Sequence, residues 1–162
     1  ATHHAIRQGL DARIIRPFNA YRPKLLGDEY GQVIAIFFHS ILENEPITLH
    51  GDGRQTRSFT WIDDVTEGFI KVASDAAQSG DVFNIGSEQE VSIAKLQEMI
   101  FAVVAADDNW FGGLPLLTKG EGYHGDSVRR LPDTTTNERI DWQAKVSLQQ
   151  GLELMWNSIR SN

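Results

Sequence analysis

The stretch ITLHGDGRQTRSFTWIDDV, residues 47–65, packs a strand, a turn, a second strand and the start of a helix into one short run. After the break at Pro46, residues 47–50 read as a short strand, and Gly51 and Gly53 flank a turn. Arg57 to Trp61 read as a second strand. Asp63 and Asp64 then open a helix with Val65, Phe69, Val72 and Ala76 on one face. Acidic residues in a first turn offset the positive end of the helix dipole. That role accounts for the Asp pair better than a catalytic carboxylate dyad does. The two glycines precede a strand and not a helix, so this turn lacks the helix N-terminus on which a phosphate-binding turn relies.

Upstream, residues 31–44 form an amphipathic helix with Ile34, Phe37, Phe38, Ile41 and Leu42 at the 3,4 spacing. Before it stands RPFNAYRPKLLG, residues 16–27. Ala12 to Arg16 read as a buried strand with Ile14 and Ile15 in the core, and Pro17 and Pro23 exclude a regular helix across 17–23. The strand thus ends in a loop carrying an amide, Asn19, and several guanidinium groups. Residues 1–9 read as the tail of a helix stopped by Gly9. His3 and His4 are adjacent and cannot share a helix face, so no metal site is expected there. Downstream, DVFNIGS supplies a strand at 82–85, and Ser92 caps a helix over 93–105 with Ile93, Leu96, Ile100 and Val103 inward. Residues 106–127 read as mostly irregular, with a strand at 114–118. Ser147 and Gln150 form a capping box before a helix over 148–160, striped by Leu148, Leu152, Trp156 and Ile159.

Strands separated by helices indicate the α/β class. Only the strands at 12–16 and 82–85 read as central, while those at 47–50 and 57–61 read as peripheral. A doubly wound sheet needs more strands, so residues 1–162 read as a single region of an incomplete fold. The length of 162 residues suits one cored domain, and the composition, 41% apolar and 23% charged, is that of a globular chain. There is no apolar run long enough for a membrane span and no basic-then-apolar leader. Together with the absence of cysteine, this points to a cytoplasmic protein without disulfides or thiolate metal sites. The net charge of −7 argues against a nucleic-acid partner. Yet Arg16, Arg22, Arg54, Arg57, Arg129 and Arg130 gather in loop-like or strand-edge stretches, and arginine forks suit phosphate and carboxylate. A small anionic ligand is one reading of them, solvated surface charge the other.

Four stretches, RPFNAYRP, ITLHGDGRQTRSFTWIDDV, VFNIGS and VRRLPD, stand in an order and spacing that resemble the C-terminal half of the extended short-chain dehydrogenase/reductases acting on nucleotide sugars, the NAD-dependent epimerase/dehydratases. The resemblance runs from Gly9-Leu10 to the last helix. It implies a partial Rossmann-type fold, namely the last strands of the parallel sheet plus the small substrate-binding subdomain. It implies that Asn19 hydrogen-bonds the phosphate region of a nucleotide sugar, that Arg57 reaches the diphosphate, and that Arg130, or its neighbour Arg129, holds phosphate from a distant loop. Charged hydrogen bonds of this kind contribute about 1.5–3 kcal/mol each. His50 stands where the family commonly has a Tyr or Phe against the nucleobase. Gln32 and Val33 line the same region, Phe59 backs Arg57, and Pro17 falls on the cofactor side. Arg22 replaces a usual glycine, and Ala35 a frequent proline. The tail from Gly120 onward resembles UDP-glucuronate decarboxylases and related 4-epimerases, in which a late arginine, here Arg130, serves as acid or carboxylate holder.

The family's chemistry is transient hydride removal at the sugar C4, followed by epimerisation, dehydration or decarboxylation. It needs NAD on a Gly-rich turn and a Tyr-x-x-x-Lys pair. The chain has neither: Tyr21, Tyr30 and Tyr123 are not followed by Lys four positions on. The expectation is therefore a substrate-binding half, a fragment or truncated product without catalytic residues of its own. NAD belongs to the intact family enzyme and is not expected on this chain alone. Its expected partners are a nucleotide-diphosphate sugar and an N-terminal half or a homodimer mate. The alternatives are a non-catalytic nucleotide-sugar binding module, an interaction protein pairing through an open sheet edge, and a two-carboxylate hydrolase resting on the Asp pair alone.

Overall fold

The computed structural model describes residues 7–25, 32–74, 77–122 and 125–161. His3, His4, Tyr30, Gly31, Ala76 and Tyr123, on which sequence expectations fell, lie outside these residues. Of the helix expected over 1–9, Arg7 is helical and Gly9 takes φ +73°, the left-handed backbone of a helix-ending glycine.

Strand β1 (Ile14–Pro17) leads through Asn19 to β2 (Ala20–Tyr21), and α1 (Val33–Glu43) follows. Next come β3 (Ile47–His50), β4 (Thr56–Ser58), β5 (Thr60–Trp61) and α2 (Ile62–Ala73). The chain continues with β6 (Val82–Ile85), β7 (Glu90–Ser92), α3 (Ile93–Ala105), β8 (Leu117–Gly120) and β9 (Arg129–Arg130). A 3₁₀ turn at Thr135–Ile140 and α4 (Leu148–Arg160) close it. The strands form small ladders: β1 with β6, β2 with β5 and β3 with β8, all parallel, and a three-stranded sheet in which β4 lies between antiparallel β7 and parallel β9. The α/β class stands, with short parallel pairs in place of one continuous sheet.

The larger core joins α1, α3 and α4. Phe38 stacks on Trp156 with ring centroids 5.8 Å apart, and Ile41, Leu96, Ile100 and Leu152 are fully enclosed around them. Tyr21 closes this core edge-on to Trp61 at 5.4 Å. Its hydroxyl lies so near α4 that a Cβ on Gly151 would stand 1.8 Å from it, so only glycine fits there. Burial first, then the nearby charge of Asp64, raises the Tyr21 pKa well above that of an ordinary phenol. The smaller core gathers Val65, Val72, Phe83, Ile85, Ile140 and Trp142 under α2.

Both expected caps are present: the Ser92 side chain accepts from the Lys95 amide, and Ser147 with Gln150 forms a reciprocal capping box on α4. Asp64 does more than offset a dipole. It is buried, and its carboxylate accepts the backbone amides of Lys145 at 3.0 Å and Val146 at 2.9 Å, pinning the approach to α4.

Several expectations are corrected. Ile14 and Ile15 are half-buried, because among the described residues β1 has a strand partner on one side only. The stretch 57–61 is not peripheral: Arg57 through Trp61 are all buried, since β7 and β9, too short to show a period, flank β4. It also breaks at Phe59, where the chain passes from the β4 sheet to the β2–β5 pair. The strand expected at 114–118 instead starts at Leu117 and is set by its register with β3, Ile47 opposite Leu117. Leu42 is 40% exposed, because the buried stripe of α1 runs through Ile34, Phe37, Phe38 and Ile41. Phe69 is 45% exposed. Helix α2 closes on β6 through Gly68, where a Cβ would come within 2.7 Å of Ile85, and this turns Phe69 away from the sheet.

Candidate functional site

Helix α1 and strand β3 leave one tight turn, in which Asn44 takes φ +54° and the Glu45 amide returns to the Ser40 carbonyl at 2.8 Å. The space between them opens into a cleft of about 520 Å³. One face of α1 forms a wall: Val33, Ile36, Phe37 and Ser40 recur at helical spacing. On β3, Thr48 and His50 share the face toward the cleft, and Gln55, Arg57 and Phe59 complete that side. Asn19, Pro46, Ile93 and Asp126 also line it.

Among the described residues the N-terminus of α1 has no side-chain cap, and its first turn holds no acidic residue. Its first amides and the positive end of its dipole therefore bear on the cleft mouth at Gln32 and Val33. Gln32 Oε1 is buried with no hydrogen-bond partner among the described residues. Asn19 holds a left-handed φ of +39°, which an Asn tolerates when its amide is tied locally. That tie is Nδ2 donating to the Ser58 carbonyl at 2.7 Å, while the Thr60 amide donates to the Asn19 carbonyl at 3.2 Å. So β1 hands its end directly to the β4–β5 junction.

Arg57 is 8% exposed. Its guanidinium donates to the carbonyls of Thr56 at 2.8 Å and Ser127 at 2.7 Å and pairs with Asp126 at 2.6 Å. This arginine is thus held rigidly in the cleft wall. His50 Nδ1 lies 3.0 Å from the Glu121 carbonyl, which can only accept, so Nδ1 carries the proton. Gly120 makes that approach possible: a Cβ there would lie 2.8 Å from Thr48 and 3.0 Å from His50.

The structure brings together Asn19, Gln32, Val33, His50, Arg57 and Phe59 from the residues expected in the site. It does not bring Arg129 or Arg130 into this wall. Arg129 spends its fork on Glu90, through Nε at 2.8 Å and Nη2 at 3.0 Å. Arg130 is the ladder partner of Arg57, so the two side chains leave the sheet on one face, with Arg130 one strand further out and exposed. Arg54 is 88% exposed and pairs with Asp52. Of the six gathered arginines, Arg57 alone lines the cleft. Pro17 ends β1 in an exposed position outside it.

Ser40, Thr48, Gln55 and Asp126 are cleft residues that the sequence reading missed. Ser40 was findable, seven positions after Val33 on the same helical face. Gln55 sat inside the deciding motif. Asp126 carried no signal, because it lies in a segment without period. Among the described residues no group of three His, Asp or Glu could hold a metal ion.

A dinucleotide cofactor requires a Gly-rich turn between a strand and a helix. The positive-φ glycines at Gly51 and Gly53 instead join β3 to β4, so these residues do not fit that group and no chemical step is assigned to it.

The sequence profile of the NAD dependent epimerase/dehydratase family matches residues 1–86. The chain is 32% identical over 152 residues to UDP-glucuronic acid decarboxylase 2 of Arabidopsis thaliana, covering 93% of this chain and 32% of that one. It is 34% identical over 146 residues to the UDP-glucose 4-epimerase of Mycolicibacterium smegmatis, covering 88% of this chain and 44% of that one. Among solved structures it resembles the UDP-glucose 4-epimerase of Thermotoga maritima with UDP-glucose, at TM-score 0.84 and 26% identity over 98% of this chain and 49% of that one. It also resembles the UDP-glucuronic acid 4-epimerase of Bacillus cereus in complex with UDP-glucuronic acid and NAD, at TM-score 0.85 and 25% identity over 99% of this chain and 49% of that one. The chain thus spans a third to a half of the length of these relatives.

Proposed function

The chain belongs to the NAD dependent epimerase/dehydratase family, and from that premise we propose that its cleft binds the nucleotide diphosphate of a nucleotide sugar. The observation that carries this reading is the convergence of Asn19, Gln32, Val33, His50 and Arg57, far apart in sequence, on one cleft. In this reading the diphosphate meets the N-terminus of α1 and the donors that Arg57 keeps beyond its bonds to Thr56, Ser127 and Asp126, namely Nε and one Nη2 hydrogen. Asn19 supplies an amide hydrogen, and the imidazole of His50 lies against the nucleobase. Arg130, on the same face as Arg57, extends the positive surface outward toward the sugar. A second phosphate clamp from the 129–130 strand then needs Arg130 to swing inward, while Arg129 stays on Glu90.

The described residues offer neither a base of the Tyr-x-x-x-Lys kind nor a cofactor turn, and binding without turnover is the function proposed for this chain alone. Epimerisation, dehydration or decarboxylation would require a supplied nucleotide-binding half. A non-catalytic nucleotide-sugar binding module is the alternative, and added N-terminal half restoring no turnover would favour it.

Calorimetric titration with UDP-glucose and UDP-glucuronic acid tests the cleft. Arg57→Ala should weaken binding by about tenfold to a hundredfold, the worth of a charged hydrogen bond. Arg57→Lys should recover part of it by keeping the charge without the fork. Equal binding by wild type and both variants would overturn the assignment, and NAD reduction by the isolated chain would overturn the claim that it is silent alone.

A further inference from the structure

We infer that the hydroxyl of Ser40 reads the polar edge of the nucleobase and so fixes which way the ligand lies in the cleft. This rests on the nucleotide-diphosphate reading proposed above. Ser40 is 7% exposed, lines the cleft, and among the described residues its hydroxyl has no hydrogen-bond partner. A serine inside a helix usually returns its proton to the carbonyl one turn back, as Thr66 of α2 does to Ile62 at 2.9 Å. Ser40 makes no such bond, so its donor and its acceptor pairs remain to be satisfied from the cleft. The residue is buried, but its hydroxyl oxygen still reaches the cleft, so a polar group of a ligand there can meet it.

Its surroundings choose the part of the ligand. Ser40 and Pro46 flank the turn that joins α1 to β3, and both line the cleft together with Ile36, Phe37 and Thr48. None of these five side chains is charged. The groups that suit phosphate, Arg57, Asn19 and the α1 N-terminus, are elsewhere on the wall. Along α1, Ser40 lies seven residues beyond Val33, roughly 10 Å down the axis. That is a depth suited to a nucleoside whose phosphates stay at the helix N-terminus. A flat ring with a polar edge suits this part of the cleft: its faces meet apolar side chains and the His50 ring, and its edge meets the Ser40 hydroxyl.

The test titrates UDP and inorganic pyrophosphate into wild type and Ser40→Ala, and melts both proteins without ligand. Ser40→Ala should weaken UDP about threefold to tenfold and leave pyrophosphate binding unchanged. It should also leave the thermal midpoint of the free protein close to that of wild type, because the hydroxyl makes no bond within the described residues. Undiminished UDP binding by the variant, beside a wild type that binds it, would overturn the role of Ser40 while the cleft assignment stands. Equal weakening of UDP and pyrophosphate would also overturn it, since Ser40 would then act on the fold. A wild type that binds pyrophosphate but not UDP would sink the base-reading role and the nucleotide assignment together.

Discussion

The two cores of this molecule are built differently. The larger one is closed by helices together with strand residues such as Tyr21, Ile47 and Trp61, and Phe38, Trp156, Leu96 and Leu152 all fall below 3% exposure. The smaller one lays α2, Ile140 and Trp142 on a pair of parallel strands, with Ile15 half-buried at its margin and Phe69 and Ile70 of α2 at 45% and 66% exposure. Helix α2 carries apolar residues on two sides. The Val65, Gly68 and Val72 line meets β6, while Thr66, Phe69, Ile70 and Ala73 face outward. A surface helix ordinarily shows one apolar stripe. The candidate cleft belongs to the sealed part, hinged on α1, so its walls are fixed by packing that the open part does not control. Ligand binding and the completeness of the parallel sheet are separable properties here.

Truncation inside the sealed core should have the largest effect. Phe38→Ala removes the ring stacked on Trp156 and should cost about 3–5 kcal/mol in urea unfolding. A loss near 1 kcal/mol would mean that the larger core is looser than its geometry shows. An acid titration probes the smaller core more gently. The Arg139 fork holds Asp81 through two hydrogen bonds, at 3.0 Å and 2.6 Å, and lowers its pKa below the ordinary 3.8. A carboxylate with a lowered folded pKa contributes stability that is fully present above its unfolded pKa. That contribution is lost as pH falls through the folded value. Stability measured from about pH 5 downward should therefore fall less steeply in Asp81→Asn than in wild type, and identical slopes would show that this pair does not tie the 3₁₀ turn to β6.

How much of this was legible in the sequence depended on period and on partners. The helices at 93–105 and 148–160 were readable to the residue, because caps at Ser92 and Ser147 coincide with clean apolar stripes. Strands of two or three residues, such as β7 and β9, carry no period, so nothing marked β4 as the centre of a sheet or Arg57 as buried. In the site, the residues that lie in recognisable motifs, Asn19, His50 and Arg57, met in one cleft. Arg129 did not, because its fork is satisfied by Glu90 across the sheet, a pairing that distance along the chain conceals. Asp126 escaped for the converse reason, since only the folded chain brings it to Arg57, 69 positions away.

The smallest expected effect is the most informative about the open side of α2. Phe69 and Ile70 are exposed, and within the described residues nothing covers them. For a chain that is monomeric in solution, Phe69→Ser exchanges a solvent-facing ring for a hydroxyl and should change the unfolding free energy by no more than about 0.5 kcal/mol. Its elution volume in gel filtration should stay the same. If the stripe is instead covered by a second copy, the same substitution removes apolar area from an interface, and the assembly should weaken with concentration. A shift from dimer to monomer on Phe69→Ser, with UDP affinity unaltered, would place the partner on the open core and leave the cleft to the sealed one. A simultaneous loss of UDP affinity would break the separation between the two parts, because no α2 residue lines the cleft and only a coupled fold could carry the effect across.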